Sequence, residues 1–418
     1  MHKFVIVGGN KLEGTIRVSG AKNATLPIMA ASLLSSGISK LAEIPLLEDV
    51  RVMLSLLEYL GAKVQREQDR VSIDSSQVKP LEVTEELMRK MRASNLIMGP
   101  LLSRFGYVRV SHPGGCAIGS RPMDLHLKGF RSLGAKITER YGYIVAECEK
   151  LTGAEIHLDF PSVGATENLM MAAALAHGQT IIRNAAKEPE IVDLQNFLNG
   201  MGANIKGAGT DAIKVQGVSE LGAVEHQVIP DRIEAGTHLI AAAITNGDIT
   251  ITNVIPEHVE PVVAKLKEAG AKIFIGDDWI RVASNGAIKA VDLKTMPYPG
   301  FPTDMQAQMM VLMTVAQGTS VVSESIFENR FKQIAELRRM GADIKLEGRA
   351  AIIKGVPKLS GAFVEATDLR AGAAMVLAGL AAEDITVVEN INHIDRGYER
   401  LEAKYRNVGA KIMRINKN

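Results

Sequence analysis

Leu60-Gly61-Ala62-Lys63-Val64 recurs along the chain as Leu133-Gly134-Ala135-Lys136-Ile137, Met201-Gly202-Ala203-Asn204-Ile205, Ala269-Gly270-Ala271-Lys272-Ile273, Met340-Gly341-Ala342-Asp343-Ile344 and Val408-Gly409-Ala410-Lys411-Ile412. The Gly-to-Gly spacings are 73, 68, 68, 71 and 68, so six repeats of about 70 residues account for all 418. Such a fixed period marks a duplicated structural unit. Before each phrase lies an amphipathic pattern, such as Val262-Val263-Leu266, which predicts a helix ending on a Gly in the left-handed conformation, with a strand beyond it. Further upstream is a second, almost wholly apolar helix. In the third repeat it reads Asn168-Leu169-Met170-Met171-Ala172-Ala173-Ala174-Leu175, followed by Gly178 and the β-rich Thr180-Ile181-Ile182. A helix apolar all round is buried all round.

The same order of helix, Gly and strand occurs at Pro27 to Ile38, Asn95 to Val110, Leu239 to Ile251, Met309 to Val322 and Ala373 to Val388, with Glu383 replacing the Gly in the sixth copy. Each repeat reads as strand, buried helix, strand, amphipathic helix, strand. That is an α/β unit too large to stack as a thin solenoid. The length suits two domains, with three repeats in each and a junction near Val228-Ile229-Pro230-Asp231.

A net charge of +1 gives no overall field to draw in nucleic acid or a membrane surface, so an anion site must be a local cluster of cations. Two cysteines are too few for a disulfide framework and fit a reducing compartment. The N-terminal apolar run is too short and Gly-rich for a signal-peptide core. The longest apolar stretches fall short of the roughly 20 residues that span a bilayer. A cytoplasmic location is expected. No dinucleotide site is expected at Val7-Gly8-Gly9-Asn10, because no Gly-x-Gly-x-x-Gly helix start follows the strand.

Function is sought where a repeat departs from its pattern. The second repeat carries Ser111-His112-Pro113-Gly114-Gly115-Cys116-Ala117-Ile118-Gly119-Ser120-Arg121-Pro122-Met123-Asp124-Leu125-His126. A thiol in such a loop is poorly shielded, and nearby cations favour the thiolate. By residue type alone, Cys116 reads as well as a small hydrophobe packed under the loop. Cys148 lies in an alternating strand and reads as structural. Lys22 and Asn23 precede a buried helix whose free amides favour an anion, although a solvated Lys at a helix start is the commoner case. Arg92, Asp304 and Arg370 stand at equivalent helix starts in other repeats. Thr303 and Asp304 read either as caps or as part of a site that these ends share. Phe327-Glu328-Asn329-Arg330 and His393-Ile394-Asp395-Arg396-Gly397-Tyr398-Glu399-Arg400 occupy the loop position of the Cys116 segment. Together with Lys22, Arg92, Arg121 and Arg370 they supply cations for a ligand bearing phosphate and carboxylate.

Ser19-Gly20-Ala21-Lys22-Asn23, the Pro113-Gly114-Gly115-Cys116 loop through His126, Phe301-Pro302-Thr303-Asp304-Met305-Gln306-Ala307-Gln308 and His393 through Arg400 resemble, over the full length, the UDP-N-acetylglucosamine enolpyruvyl transferase (1-carboxyvinyltransferase) family. The resemblance implies an α/β fold of two inverse α/β barrels, helices inside and sheets outside, with the active site in the interdomain cleft. Residues 21–229 would form the N-terminal domain, carrying the Cys116 lid loop, and 230–418 the C-terminal domain, joined by residues 1–20. It also implies addition of a sugar 3-hydroxyl to phosphoenolpyruvate and then loss of phosphate, in peptidoglycan precursor synthesis, with no metal or organic cofactor.

Cys116 would protonate the methylene carbon and be the target of fosfomycin-type covalent inhibitors, and Asp304 would take the hydroxyl proton. Lys22, Arg121 and Arg396, with Arg330 and Arg370, would hold the phosphate and carboxylate. UDP-N-acetylglucosamine would lie on Asn23, Arg92, Arg121, Pro122, Asp124, Leu125, Ser162, Val163, Gly164, Asp304 and Ile326. No nucleic acid, membrane or obligate protein partner is expected. The chain departs from the family pattern at Glu48, where many members have Lys, and at Phe160, where others are polar. His112 beside the loop bears on the thiol's acidity. The wider family includes 5-enolpyruvylshikimate-3-phosphate synthase, which lacks the Pro-Gly-Gly-Cys loop. A shikimate-type acceptor is therefore one alternative, and a non-catalytic nucleotide-sugar-binding paralogue another.

Overall fold

The computed structural model describes residues 2–90, 92–112, 118–119, 123–284 and 286–416, without the side chains of 87, 89, 90 and 92. It divides into two compact units. The described residues of Met1–Ser19, Ala117–Ser120 and Pro230–Asn418 make one, and those of Gly20–Cys116 and Arg121–Ile229 the other.

Each unit has its own aliphatic core. In the N-terminal unit the core holds the helices Lys22–Ala31, Met98–Phe105 and Val163–Ala173, and in the C-terminal unit Arg232–Ile244, Gln306–Thr314 and Leu369–Ala381. Every residue of Gln306–Thr314 is buried, the apolar run Met309–Met313 facing the core all round. Glycines let these helices approach their neighbours. A Cβ at Gly99 would come 2.4 Å from the carbonyl oxygen of Asn168, and one at Gly236 would come 2.9 Å from Cε of Met305.

The sheets surround these helices. Among the described residues five have four strands and one has three. The third repeat shows the plan. Glu155–His157 runs parallel to Gln179–Arg183, which pairs antiparallel with Ala212–Gln216, and that strand pairs with Asn204–Lys206. A repeat thus ends in a two-stranded hairpin, one strand more than the sequence pattern suggested. The strands are short, Asn204–Lys206 being only three residues, so their alternation runs together with the turn between them.

Two strands come from far away in sequence. Lys3–Val7 inserts between Ile385–Glu389 and Lys411–Ile415, and Glu13–Arg17 adds in parallel to Asp248–Thr252. In the N-terminal unit, Glu225–Gln227 completes the first repeat's sheet against Ile38–Ala42. No helix follows Val7, so the Gly8-Gly9 turn is not a dinucleotide loop.

All six repeat glycines, Gly61, Gly134, Gly202, Gly270, Gly341 and Gly409, have φ between 89° and 102°. They end the amphipathic helices as the sequence predicted, because an L side chain is strained there.

Where the chain passes from one unit to the other, the N–H of Ala21 donates to the carbonyl of Ile229 (2.8 Å), and that of Asp231 to the carbonyl of Ser19 (2.9 Å). Within the C-terminal unit Ser19 is held by a partly buried polar network. Its N–H donates to Glu234 Oε2 (3.0 Å), its hydroxyl donates to Glu399 Oε2 (2.8 Å), and Lys404 Nζ donates to Ser19 Oγ (2.8 Å). Glu234 also pairs with Lys404 and with His238 Nε2 (3.1 Å).

Candidate active site

In the C-terminal unit the polar helix starts converge on Asp304. It lies in the single turn Thr303–Met305, ahead of the buried helix Gln306–Thr314, and its side chain caps neither. Instead its two oxygens accept from two arginines. Arg330 Nη2 donates to Oδ1 (2.7 Å), and Arg370 Nε and Nη2 donate to Oδ2 (3.2 and 2.9 Å). Both guanidiniums are almost fully buried, with side-chain exposures of 4% and 3%, whereas Asp304 is 25% exposed. Burial alone would lower the pKa of Arg370, but the Asp304 carboxylate, Tyr398 and Asp231 together outweigh it and raise the value.

Arg370 is placed by its own helix, Leu369–Ala381. Asp368 caps that helix, accepting from the N–H groups of Arg370 and Ala371 at 2.9 and 3.0 Å. The guanidinium carbon of Arg370 stands 5.4 Å from the ring centre of Tyr398, a cation–π distance. Tyr398 lies in a buried set, its hydroxyl 3.0 Å from Thr237 Oγ1 and accepting from Gln308 Nε2 at 3.0 Å. Gln308 Nε2 also donates to the backbone carbonyl of Asp304 (3.0 Å). The apolar helix therefore holds the acid's backbone while the arginines hold its side chain.

Arg396 is half-buried at the end of the short helix Ile391–Arg396. Burial, and next the charge of Arg396, lower the pKa of His393, against a smaller pull from Asp368. Ile326 is half-buried three residues beyond the strand Thr319–Ser323.

In the N-terminal unit Lys22 is the first residue of helix Lys22–Ala31 and is 9% exposed, so it is not a solvated surface lysine. Its Nζ stands 3.5 Å from Asp49 Oδ2, on the first turn of Glu48–Tyr59. Asn23 beside it is half-buried. Ser162 caps helix Val163–Ala173, its Oγ accepting from the N–H of Ala165 at 3.3 Å. Gly164 lies against His126, where a Cβ would come 3.4 Å from Cε1. His126 is fixed by Asn168 (Nδ1 to Nδ2, 3.1 Å) on the same helix as Gly164. Asp124 is exposed and Leu125 half-buried at the start of Asp124–Ser132.

Cys116, Arg121 and Pro122, and the side chain of Arg92, lie outside the described residues. Two residues after Cys116 in the sequence, the carbonyl of Ile118 accepts from the N–H of Asn329 (3.1 Å), one residue from Arg330. Of the departures from the family pattern, Glu48 is half-buried and pairs with Arg51 (2.8 Å), Phe160 is 44% exposed, and exposed His112 donates its N–H to the carbonyl of Gly142 (2.7 Å). Cys148 is half-buried against the N-terminal core, and burial raises its thiol pKa, as suits a structural residue.

The sequence reading missed Asp49 and Glu324. Asp49 is separated from Lys22 by 27 residues and sits on another helix. Its only signal is an acidic residue that an amphipathic helix turns inward. Among the described residues no group of three His, Cys, Asp or Glu side chains is placed to hold a metal ion.

Three α/β repeats in each unit, with charged helix starts, are the architecture of an enolpyruvyl transferase. The fold of the enolpyruvyl transferase NikO from Streptomyces tendae matches over 100% of this chain and 99% of that one, with a TM-score of 0.89 at 24% identity. EPSP synthase from Acinetobacter baumannii matches over 100% of both chains with a TM-score of 0.78 at 19% identity. The profile of the family described as EPSP synthase (3-phosphoshikimate 1-carboxyvinyltransferase) matches residues 6–405, and the chain belongs to that family.

Within it, the chain is 63% identical over 416 residues to UDP-N-acetylglucosamine 1-carboxyvinyltransferase 1 of Carboxydothermus hydrogenoformans, covering 100% of this chain and 99% of the relative. It is 60% identical to the protein of the same name from Caldanaerobacter subterraneus, covering 99% of each. With UDP-N-acetylglucosamine 1-carboxyvinyltransferase of Halothermothrix orenii it shares 56% identity, over 99% of this chain and 100% of the relative.

Proposed function

We propose that this chain transfers the enolpyruvyl group of phosphoenolpyruvate to the 3-hydroxyl of UDP-N-acetylglucosamine, releasing phosphate, as a step of peptidoglycan precursor synthesis in the cytoplasm. Full-length identity of 63% to a relative named for this acceptor carries the reading. The shikimate-type acceptor is disfavoured by that name and by the Pro113-Gly114-Gly115-Cys116 loop.

In the addition step the sugar oxygen bonds to C2 of phosphoenolpyruvate, Asp304 takes the hydroxyl proton, and Cys116 gives a proton to the methylene carbon. In the elimination step the C2–O bond to phosphate breaks, its electron pair leaving with the phosphate, and the methyl group returns a proton to the Cys116 thiolate as the double bond re-forms. Lys22, Arg121, Arg396, Arg330 and Arg370 bind the phosphate and carboxylate and stabilise the charge that develops. Asn23, Arg92, Arg121, Pro122, Asp124, Leu125, Ser162, Val163, Gly164 and Ile326 receive the nucleotide sugar, and the Cys116 loop closes over it.

Two features support these roles. Lys22, Arg330 and Arg370 are buried cations on helix starts or beside them, placed for an anion rather than for solubility. Asp304 lies partly exposed between two guanidiniums, which occupy both of its oxygens. An anionic substrate that competes for Arg330 and Arg370 frees its lone pairs and strengthens it as a base. Acid–base groups of the chain supply the whole sequence, and no metal or organic cofactor has a part in it.

The test is inorganic phosphate release by purified protein given both substrates, with Cys116→Ala beside it. Release that requires both substrates and is lost in the variant supports the reading, and a fosfomycin-type epoxide should add covalently to wild type alone. A folded wild type that releases no phosphate sinks it.

A further inference from the structure

The strand that follows the buried helix has five residues in every repeat: Ile38–Ala42, Tyr107–Ser111, Gln179–Arg183, Asp248–Thr252, Thr319–Ser323 and Ile385–Glu389. In four of them the next residue turns left-handed: Glu43 (φ 59°), Asn184 (53°), Asn253 (56°) and Asn390 (58°). The second and fifth repeats omit that residue. His112 and Glu324, which stand there, have no positive φ, and each donates its own N–H straight to the hairpin turn, to Gly142 (2.7 Å) and Arg349 (2.9 Å). In the second repeat this exit launches the Cys116 loop. In the fifth it continues the inward alternation of Ser320 and Val322 for one more residue and brings a carboxylate inside. Glu324 is 1% exposed.

Such a carboxylate is costly unless its lone pairs are filled, and here they are. Oε1 accepts from Thr295 Oγ1 (2.8 Å) and from the N–H groups of Ile326 (2.8 Å) and Phe327 (3.1 Å), and Oε2 accepts from Thr303 Oγ1 (2.9 Å). Thr303 has one hydroxyl proton. With that proton committed to Glu324, its lone pairs face Arg330, whose Nη1 donates to Thr303 Oγ1 at 3.2 Å while Nη2 holds Asp304.

We propose that Glu324 is a positioning residue for the transfer reaction. Through Thr303 it orients Arg330 on Asp304, and through the Ile326 and Phe327 amides it shapes the turn that receives the acceptor. The inference rests on the transferase reading above. It separates two effects. Glu324→Gln puts an NH2 where an acceptor stood and disturbs both arms. Thr303→Val removes only the arm toward Arg330.

The experiment is steady-state phosphate release by wild type, Glu324→Gln, Thr303→Val, Thr303→Ser and the Glu324→Gln/Thr303→Val double variant, with thermal midpoints alongside. Both Glu324→Gln and Thr303→Val should lower kcat about 10- to 100-fold, the effect of misplacing a reacting group by about 1 Å. Only Glu324→Gln should also raise KM for the nucleotide sugar. Thr303→Ser, which keeps the hydroxyl, should hold kcat within about twofold of wild type. In the double variant kcat should match the single variants rather than their product, as expected for residues in one hydrogen-bonded chain. If wild type turns over and folded Glu324→Gln retains its kcat, Glu324 is only structural and the inference falls while the transferase reading stands. If Glu324→Gln does not fold, Thr303→Val decides, and unchanged kcat there overturns the inference. A wild type without turnover overturns both.

Discussion

Asp304 is one acid shared by two buried cations, so its charge serves folding as well as chemistry. Asp304→Asn keeps the shape and leaves Arg330 and Arg370 facing a neutral amide. Phosphate release should fall by about 10²- to 10⁴-fold, the usual range for a general acid or base. The thermal midpoint should fall too, because removing one partner of a buried pair costs about 3–5 kcal/mol, toward the lower end here given the exposure of Asp304. Turnover undiminished in this variant would remove Asp304 from the proton transfer.

Glu167 shows the opposite case. Burial, and then the carboxylates of Glu190 and Glu188, push its pKa well above the ordinary carboxylate range. The folded state therefore holds this proton more tightly than the unfolded chain does. The stability it contributes is full below the ordinary range and is lost as pH rises through the raised value. Glu167→Gln needs no such proton, so its thermal midpoint relative to wild type should climb as pH rises above the ordinary carboxylate range.

At the level of elements, helix Leu369–Ala381 shows how a cap becomes part of a site. Asp368 satisfies two amides of the first turn, and one of them belongs to Arg370. Asp368→Ala should destabilise the C-terminal unit by about 1 kcal/mol, whereas Asp368→Asn, also a good cap, should be close to neutral. Thermal unfolding of both variants distinguishes a cap from a charge effect, since only the latter would make Asn as costly as Ala.

The helices and their ends were the legible part of the sequence. Apolar runs such as Met309 to Met313 admit only burial, and the six repeat glycines, Gly61 through Gly409, announce their conformation by residue type. The hairpin strands were less legible, because three to five residues carry too little alternation to count them. Lys22, Asp304, Arg330 and Arg370 were visible as polar departures from a repeat, but the acids behind them, Asp49 and Glu324, were not. Asp49 and Glu324 look like ordinary acidic residues at an element's edge. What singles out Glu324 is a missing left-handed residue, which only the backbone shows.

On the scale of the whole molecule, the network around Ser19 ties the first segment of the chain to the C-terminal unit through charge. Burial alone would push the Glu234 carboxyl up, but Lys404 and His238 outweigh it and hold it down to about 2. Burial lowers the pKa of His238, and its neutral ring fits the tautomer that donates from Nε2 to Glu234 and accepts at Nδ1 from the Tyr405 hydroxyl (3.2 Å). With the folded value below the unfolded one, Glu234 stabilises the fold above the ordinary carboxylate range and loses that effect as pH falls from about 4 toward about 2. The contribution near neutrality is about 3 kcal/mol. Urea midpoints followed down this window should drop steeply in wild type and more gently in Glu234→Gln, which starts lower. Parallel slopes would show that other carboxylates govern the acid limb.

The placement of Lys3–Val7 between Ile385–Glu389 and Lys411–Ile415 also bears on how the protein is made. The N-terminal unit closes on itself with Glu225–Gln227, so it can mature while the ribosome is still reading the second half. The opening strand has no such partner at hand. At ordinary translation rates it waits on the order of 10 s longer for the last repeat to emerge. During that interval an apolar five-residue strand is open to wrong pairings.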